Sequence, residues 1–257
     1  MLKKQFVRNT YKESVGMRPL NVILLVFLSI VIKTAIAAPD IILNITALPP
    51  LNTSTQDGFA DEVATEAFKR IGYELHTERL PAERGLKSAN KGLIDGEMTR
   101  VKGLNKTYKN LVRVPEKIMD WEFVAFSYKP ISMAQGWSSL SGKLVGHING
   151  WKILEKNIPG DAEVTKVENA DELFRLLEKK RTDFVIYEQW GGYYKVNSMS
   201  MNQVEKCEPA FAVKEMFIYL HEKHKALVPM LSASLKEMKK DGSYQKLYNK
   251  HLTPLKQ

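Results

Sequence analysis

"DGFADEVATEAFKRIGYEL", residues 57–75, decides how the rest of this chain is read. Phe59, Ala60, Val63, Ala64, Ala67, Phe68 and Ile71 recur at i, i+3, i+4 spacing, which predicts a helix with one apolar face. Gly72 stands where such a helix stops, and "YELHTERL" (73–80) then alternates as a strand does. Upstream, "IILNITAL" (41–48) reads as a strand. Downstream, Pro81 is placed as the first residue of a second helix, which residues 82–91 continue and Gly92 ends. "LIDGEM" (93–98) follows as a third strand. A β-α-β-α-β succession predicts a parallel sheet in an α/β fold.

The same grammar resumes after Pro130. "GKLVGHING" (142–150) is strand then turn, "WKILEKNI" (151–158) a short helix, and "AEVTKVEN" (162–169) a strand. "NADELFRLLEKKR" (169–181) is a helix with Asn169 at its cap, Glu172 three residues on, and Leu173, Leu176 and Leu177 on one face. "TDFVIY" (182–187) is a strand, and "EQWGGYYKV" opens the next element. "FAVKEMFIYLHE" (211–222) is extended chain. Two helices finish the protein, separated at Asp241-Gly242. The expected organisation is two α/β halves, residues 38–126 with 213–257 and residues 127–212, joined by extended stretches near 120–129 and 209–220.

The beginning of the chain reads as an export signal. Lys3, Lys4, Arg8, Lys12 and Arg18 precede the uncharged run "LNVILLVFLSIVI" (20–32), and Ala35-Ile36-Ala37 fits cleavage before Ala38. A membrane span needs roughly 20 apolar residues, so this run is short for one. No Cys sits at the cleavage point, which argues against a lipid anchor. Removing residues 1–37 takes six of 38 basic residues and one of 29 acids, which lowers the net charge from +9 to +4. The remaining basic residues are spread over helical patterns such as "KEMKK" and "EKKR", a pattern of solvated faces and not of a nucleic-acid patch. Cys207 is the single cysteine, so stability rests on packing without an intrachain disulfide. Together these features point to a bacterial periplasm.

Five phrases in order resemble the family 3 bacterial extracellular solute-binding proteins, the amino-acid-binding branch of the periplasmic binding proteins. They are "GFADEVATEAFKRIGYEL", "LPAERGLKSANKGLIDGE", "SLSGKLVGHINGWK", "TDFVIYE" and the closing "HEKHKALVPMLSASLKEMKKDGSYQKLYNKHL". The resemblance spans nearly all of residues 38–257. It implies two α/β lobes with parallel-rich sheets flanked by helices, joined by two hinge strands, that clamp a small ligand between them. It also implies an inner-membrane ABC permease as partner, a monomer, and no cofactor or metal.

In open α/β sheets ligands lie beyond the carboxyl ends of the strands. Arg100 is expected there, after the third strand, where its fork of donors suits a carboxylate. Glu97 and Thr99 are placed to orient it. Family members carry their carboxylate-gripping Arg several residues later, where this chain reads "LNKTYKN" (104–110) without one. Glu188, five residues after Asp183, occupies the place of the acid that pairs with an amino group in the family pattern. Its other reading is a carboxylate at a helix start, stabilised by the helix dipole. Gly150 and Trp151 stand at the family's Gly-Thr turn, where backbone N–H groups attract anions, but Trp151 removes the hydroxyl. Tyr187 and Trp190 are candidates to stack on an apolar part of the ligand.

Enzymatic motifs are thin. His221 and His224 have i, i+3 spacing without a third metal ligand, and the sequence has no G-x-S-x-G, P-loop or G-x-G-x-x-G. The sequence therefore favours a solute-binding protein over two alternatives. These are an enzyme on the same scaffold, resembling cyclohexadienyl dehydratase, with Glu97 or Glu188 as its acid, and a ligand sensor acting through a membrane partner.

Overall fold

The computed structural model describes residues 38–256, so the export signal expected over residues 1–37 lies outside the described residues. The first run is β1 (Asp40–Asn44), α1 (Phe59–Arg70), β2 (Glu74–Glu78), α2 (Ala82–Asn90) and β3 (Gly96–Val101). The short β4 (Leu111–Arg113) and the long β5 (Met119–Ser127) follow. The second run is β6 (Leu144–Ile148), α3 (Lys152–Asn157), β7 (Glu163–Val167), α4 (Ala170–Glu178), β8 (Phe184–Glu188) and α5 (Gln189–Ser198). The chain closes with β9 (Glu205–Lys206), β10 (Ala212–His221), α6 (Leu227–Lys240) and α7 (Ser243–His251).

The main strand order is β2-β1-β3-β10-β5-β8-β6-β7. Both outer groups are parallel: β1 pairs with β2 and β3, and β6 pairs with β7 and β8. The middle is antiparallel, because β10 runs against β3 and β5, and β5 runs against β8. The two extended stretches expected to link the halves are thus the paired strands β5 and β10.

The apolar face read from residues 59–71 is buried as its spacing requires. Phe59, Val63, Ala64, Ala67 and Phe68 pack with Leu231, Leu235 and Met238 of α6. Around the second run, Val124, Phe126, Leu173, Phe174 and Val185 form a separate cluster.

The third strand differs from its expected register. "LIDGEM" was expected to start at Leu93, yet β3 begins at Gly96 and runs on to Val101. Gly92 turns the chain with a φ of 71°, and Leu93 is left 73 % exposed. Asp95 is then held by partners distant in sequence: Ile42 N–H donates to its carboxylate, and Lys223 and His224 pair with it. Gly96 opens the strand because any Cβ there would lie 2.0 Å from the Tyr219 carbonyl oxygen. Pro81 also differs by one position, capping α2 where it was expected inside the first turn.

Candidate functional site

The carboxyl ends of β1, β6, β7 and β8 surround one cavity of about 210 Å³. The segment after β1 supplies Thr46, Ala47, Leu48 and Leu51, and the long strand β5 supplies Trp121. From the second run come Ile148 and Trp151 beyond β6, and Glu168, Asn169 and Ala170 at the start of α4. Tyr187, Glu188 and Gly191, at the junction of β8 and α5, complete it.

Glu188 closes the cavity at a buried helix start. It is 3 % exposed, and its carboxylate accepts from the backbone N–H of Trp190 at 3.0 Å and of Gly191 at 2.8 Å. These are two of the orphan donors in the first turn of α5, so the side chain caps the helix and sits at its positive end. Burial nevertheless dominates. It pushes the carboxyl up to about 7 against those two hydrogen bonds, with Glu122 adding repulsion. The helix-start reading of Glu188 matches this geometry: the side chain caps α5, and it also lines the cavity.

Trp151 and Tyr187 form an aromatic wall. Their rings stack with centroids 5.0 Å apart and planes 16° apart, and Phe123 meets Trp151 edge-on at 5.6 Å. Burial, with Glu188 beside it, pushes the Tyr187 hydroxyl above its ordinary value. The indole N–H of Trp121 is buried without a protein acceptor. Gly150 takes a φ of 80° in the turn before α3, but its N–H donates to Glu155 at 3.1 Å and it does not line the cavity.

Arg100 lies outside the cavity lining. Its Nε donates to Glu97 Oε2 at 2.7 Å, Nη1 to Thr46 Oγ1 at 3.2 Å and Nη2 to the Ala82 carbonyl at 3.5 Å. Glu97 is fully buried, and Asn44 Nδ2 donates to both of its oxygens at 3.1 Å. Burial raises the Glu97 carboxyl, while Arg100 and Asn44 pull it down. Asn44 Oδ1 in turn accepts from Leu80 N–H. The result is a buried polar network between β1, β3 and α2, touching the cavity only through Thr46. Thr99 is also buried, with its hydroxyl unpartnered. Trp190 packs away from the cavity, edge-on to Tyr248 at 5.5 Å and under Lys256 Nζ at 5.2 Å.

Of the eight residues named from sequence, Glu188, Tyr187 and Trp151 come together at the cavity. Glu97, Thr99 and Arg100 cluster behind it, and Gly150 and Trp190 stand apart from it. Sequence reasoning missed Thr46, Trp121 and Glu168. Thr46 follows β1 directly, so the rule of strand carboxyl ends could have found it. His221 and His224 do not join as metal ligands: His221 Nδ1 accepts from Lys223 N–H, and His224 contacts Asp95. Among the described residues, Asp40, Glu74 and His76 form one exposed group of metal-ligating type at the sheet edge.

No family model matches the chain. An uncharacterised protein of Shewanella oneidensis is 25 % identical over 201 residues, covering 73 % of this chain and 74 % of that protein. Among solved structures, a mutant of the arginine-binding protein from T. maritima aligns with a TM-score of 0.64 at 19 % identity, over 83 % of this chain and 95 % of that one. A histidine kinase sensor domain with similarity to periplasmic binding proteins aligns at 0.67 and 15 % identity, over 83 % and 96 %. An ancestral amino-acid-binding protein, a precursor of cyclohexadienyl dehydratase, aligns at 0.64 and 17 % identity, over 83 % and 95 %. Taken with the strand order and the cavity at the strand ends, these alignments give the chain the two-lobed α/β fold of the periplasmic binding proteins, the architecture implied by its resemblance to the family 3 solute-binding proteins.

Proposed function

We propose that this chain is a periplasmic solute-binding protein that captures a small polar ligand by hinge closure and presents it to an ABC permease. One observation carries the reading: the cavity at the carboxyl ends of β1, β6, β7 and β8 draws residues from both runs and from β5, with the buried carboxyl of Glu188 in its lining. In this reading residues 38–126 with 213–257 form one lobe, residues 127–212 the other, and β5 with β10 the hinge. Closure is driven by the ligand's preference for the closed state. Glu188, Tyr187 and Trp151 contact the ligand. Arg100, supported by Glu97 and Thr99, acts on it across Thr46, while Gly150 and Trp190 hold the surrounding elements. Residues 1–37 direct export, and the protein works as a monomer without cofactor.

The test is a thermal-shift screen of protein purified after expression of the full chain, with amino acids, polyamines and organic acids. A ligand at about 100 times its dissociation constant adds about 2.7 kcal/mol, which raises the midpoint by roughly 5–10 °C at this size. A panel without a single shift overturns the proposal. Arg100→Ala then reports whether the network behind Thr46 contributes to binding.

Glu188 also supports a second reading. A carboxyl raised to about 7 in a cleft is suited to general acid–base work at neutral pH, and the fold is shared with a dehydratase precursor. Conversion of a cyclic organic acid during prolonged incubation, lost in Glu188→Gln, would favour the enzyme.

A further inference from the structure

Charge in the cleft is one-sided. Among the described residues, the cavity lining contains Glu168 and Glu188 and no Lys, Arg or His. Two guanidinium groups contact residues of the lining, Arg100 at Thr46 and Arg79 at Ala47. Arg100 is ion-paired with Glu97, and Arg79 Nη1 donates to the Ala47 carbonyl at 2.8 Å.

Backbone donors could grip an anion instead, because helix starts attract negative charge. In the second run these donors are largely occupied by the chain's own side chains. Glu188 accepts from Trp190 and Gly191 at the start of α5. Asn169 accepts from Glu172 N–H at the start of α4, and the Glu172 carboxylate accepts from Glu168 N–H. At the turn before α3, Gly150 N–H goes to Glu155. A carboxylate entering this cavity meets two acids and, among the described residues, no cationic side chain in the lining.

A cation meets the opposite. The Trp151–Tyr187 stack and Trp121 offer aromatic surface beside the two carboxylates, and ring faces attract cations most strongly for Trp. On the reading that this cavity is the ligand site, we infer that the ligand is an organic amine. Its ammonium is held by Glu188 and Glu168, its planar or apolar part lies against Trp151 and Tyr187, and it carries no carboxylate that the protein must grip. An ammonium beside Glu188 also supplies the counter-charge that its buried carboxyl lacks.

The experiment is calorimetric titration of protein from the full expressed chain with pairs that differ only in the α-carboxylate: tryptamine and tryptophan, tyramine and tyrosine, agmatine and arginine. The expected result is that, in at least one pair, the amine binds tenfold or more tightly than its amino acid. Glu188→Gln and Glu168→Gln should each weaken the amine tenfold or more, with the variants' folding checked by circular dichroism. If amino acids bind and their amines are tenfold weaker, the inference falls while the binding-protein reading stands. Binding confined to organic acids has the same consequence. If no pair and no member of the wider panel binds, both fall together.

Discussion

Glu188 is pulled in two directions by its surroundings. The N–H groups of Trp190 and Gly191 favour its charged form, whereas burial at the base of the cleft favours the neutral one. Burial wins, so the folded protein keeps the proton up to about pH 7, while the unfolded chain releases it near 4.5. The sign follows from linkage: the favourable contribution is complete below about 4.5, shrinks as pH rises, and is gone above about 7. Its span is at most roughly 3 kcal/mol. Glu188→Gln cannot ionise, so the variant's melting temperature should gain on the wild type between pH 5 and pH 8. Parallel melts across that range check this, and a constant offset would mean that Glu188 is charged throughout. The residue itself was legible through the resemblance, which places an acid five residues after Asp183. Its burial was not, since the Glu122 charge and the aromatic wall come from elements brought together only by the fold. Arg100 shows the converse. The sequence singled it out but did not reveal its pairing with Glu97, three residues away on the same strand, which holds it beside Thr46.

At the scale of elements, α2 can approach β1 and β3 only because Gly85 faces them. A Cβ at Gly85 would lie 2.0 Å from Asn44 Nδ2 and 2.7 Å from Glu97 Oε1, inside the network that holds Arg100. Gly85→Ala should therefore cost about 2 kcal/mol, an overpacking penalty in a polar setting, and lower the melting midpoint by roughly 4–8 °C. Differential scanning calorimetry measures it, and an unchanged midpoint would show that α2 can shift without disturbing Asn44 and Glu97. The helices were the legible elements. Asn169 and Glu172 cap α4 as their spacing predicts, with Asn169 Oδ1 accepting from Glu172 N–H at 2.9 Å. The start of β3 was not legible. Its displacement to Gly96 depends on Asp95 meeting Lys223 and His224, which a local pattern cannot reveal.

Across the whole molecule, periodicity exposed two parallel groups, and the resemblance to a known family supplied their closure into lobes. What no local pattern could give was the antiparallel centre, where β10 returns from the far end of the chain between β3 and β5. That return also brings α7 and the residues after it against α5, and Trp190 is the side chain that fills the junction. It is buried in the same cluster as Phe59 and Leu235, although it belongs to a helix of the second run. The sequence offered Trp190 as a ligand contact; its packing against Tyr248 and Lys256 describes a strut between the two runs. Removing it leaves a large void, and Trp→Ala changes at such sites cost about 3–5 kcal/mol. Trp190→Ala should thus lower the melting midpoint by roughly 6–20 °C. Ligand affinity, measured well below that midpoint, should change by less than about threefold, because the ring does not line the cavity. The opposite outcome, an unshifted midpoint with binding lost, would return Trp190 to the ligand site and show that other contacts at this junction, such as Asn197 Nδ2 donating to the Leu255 carbonyl, hold the runs together without it.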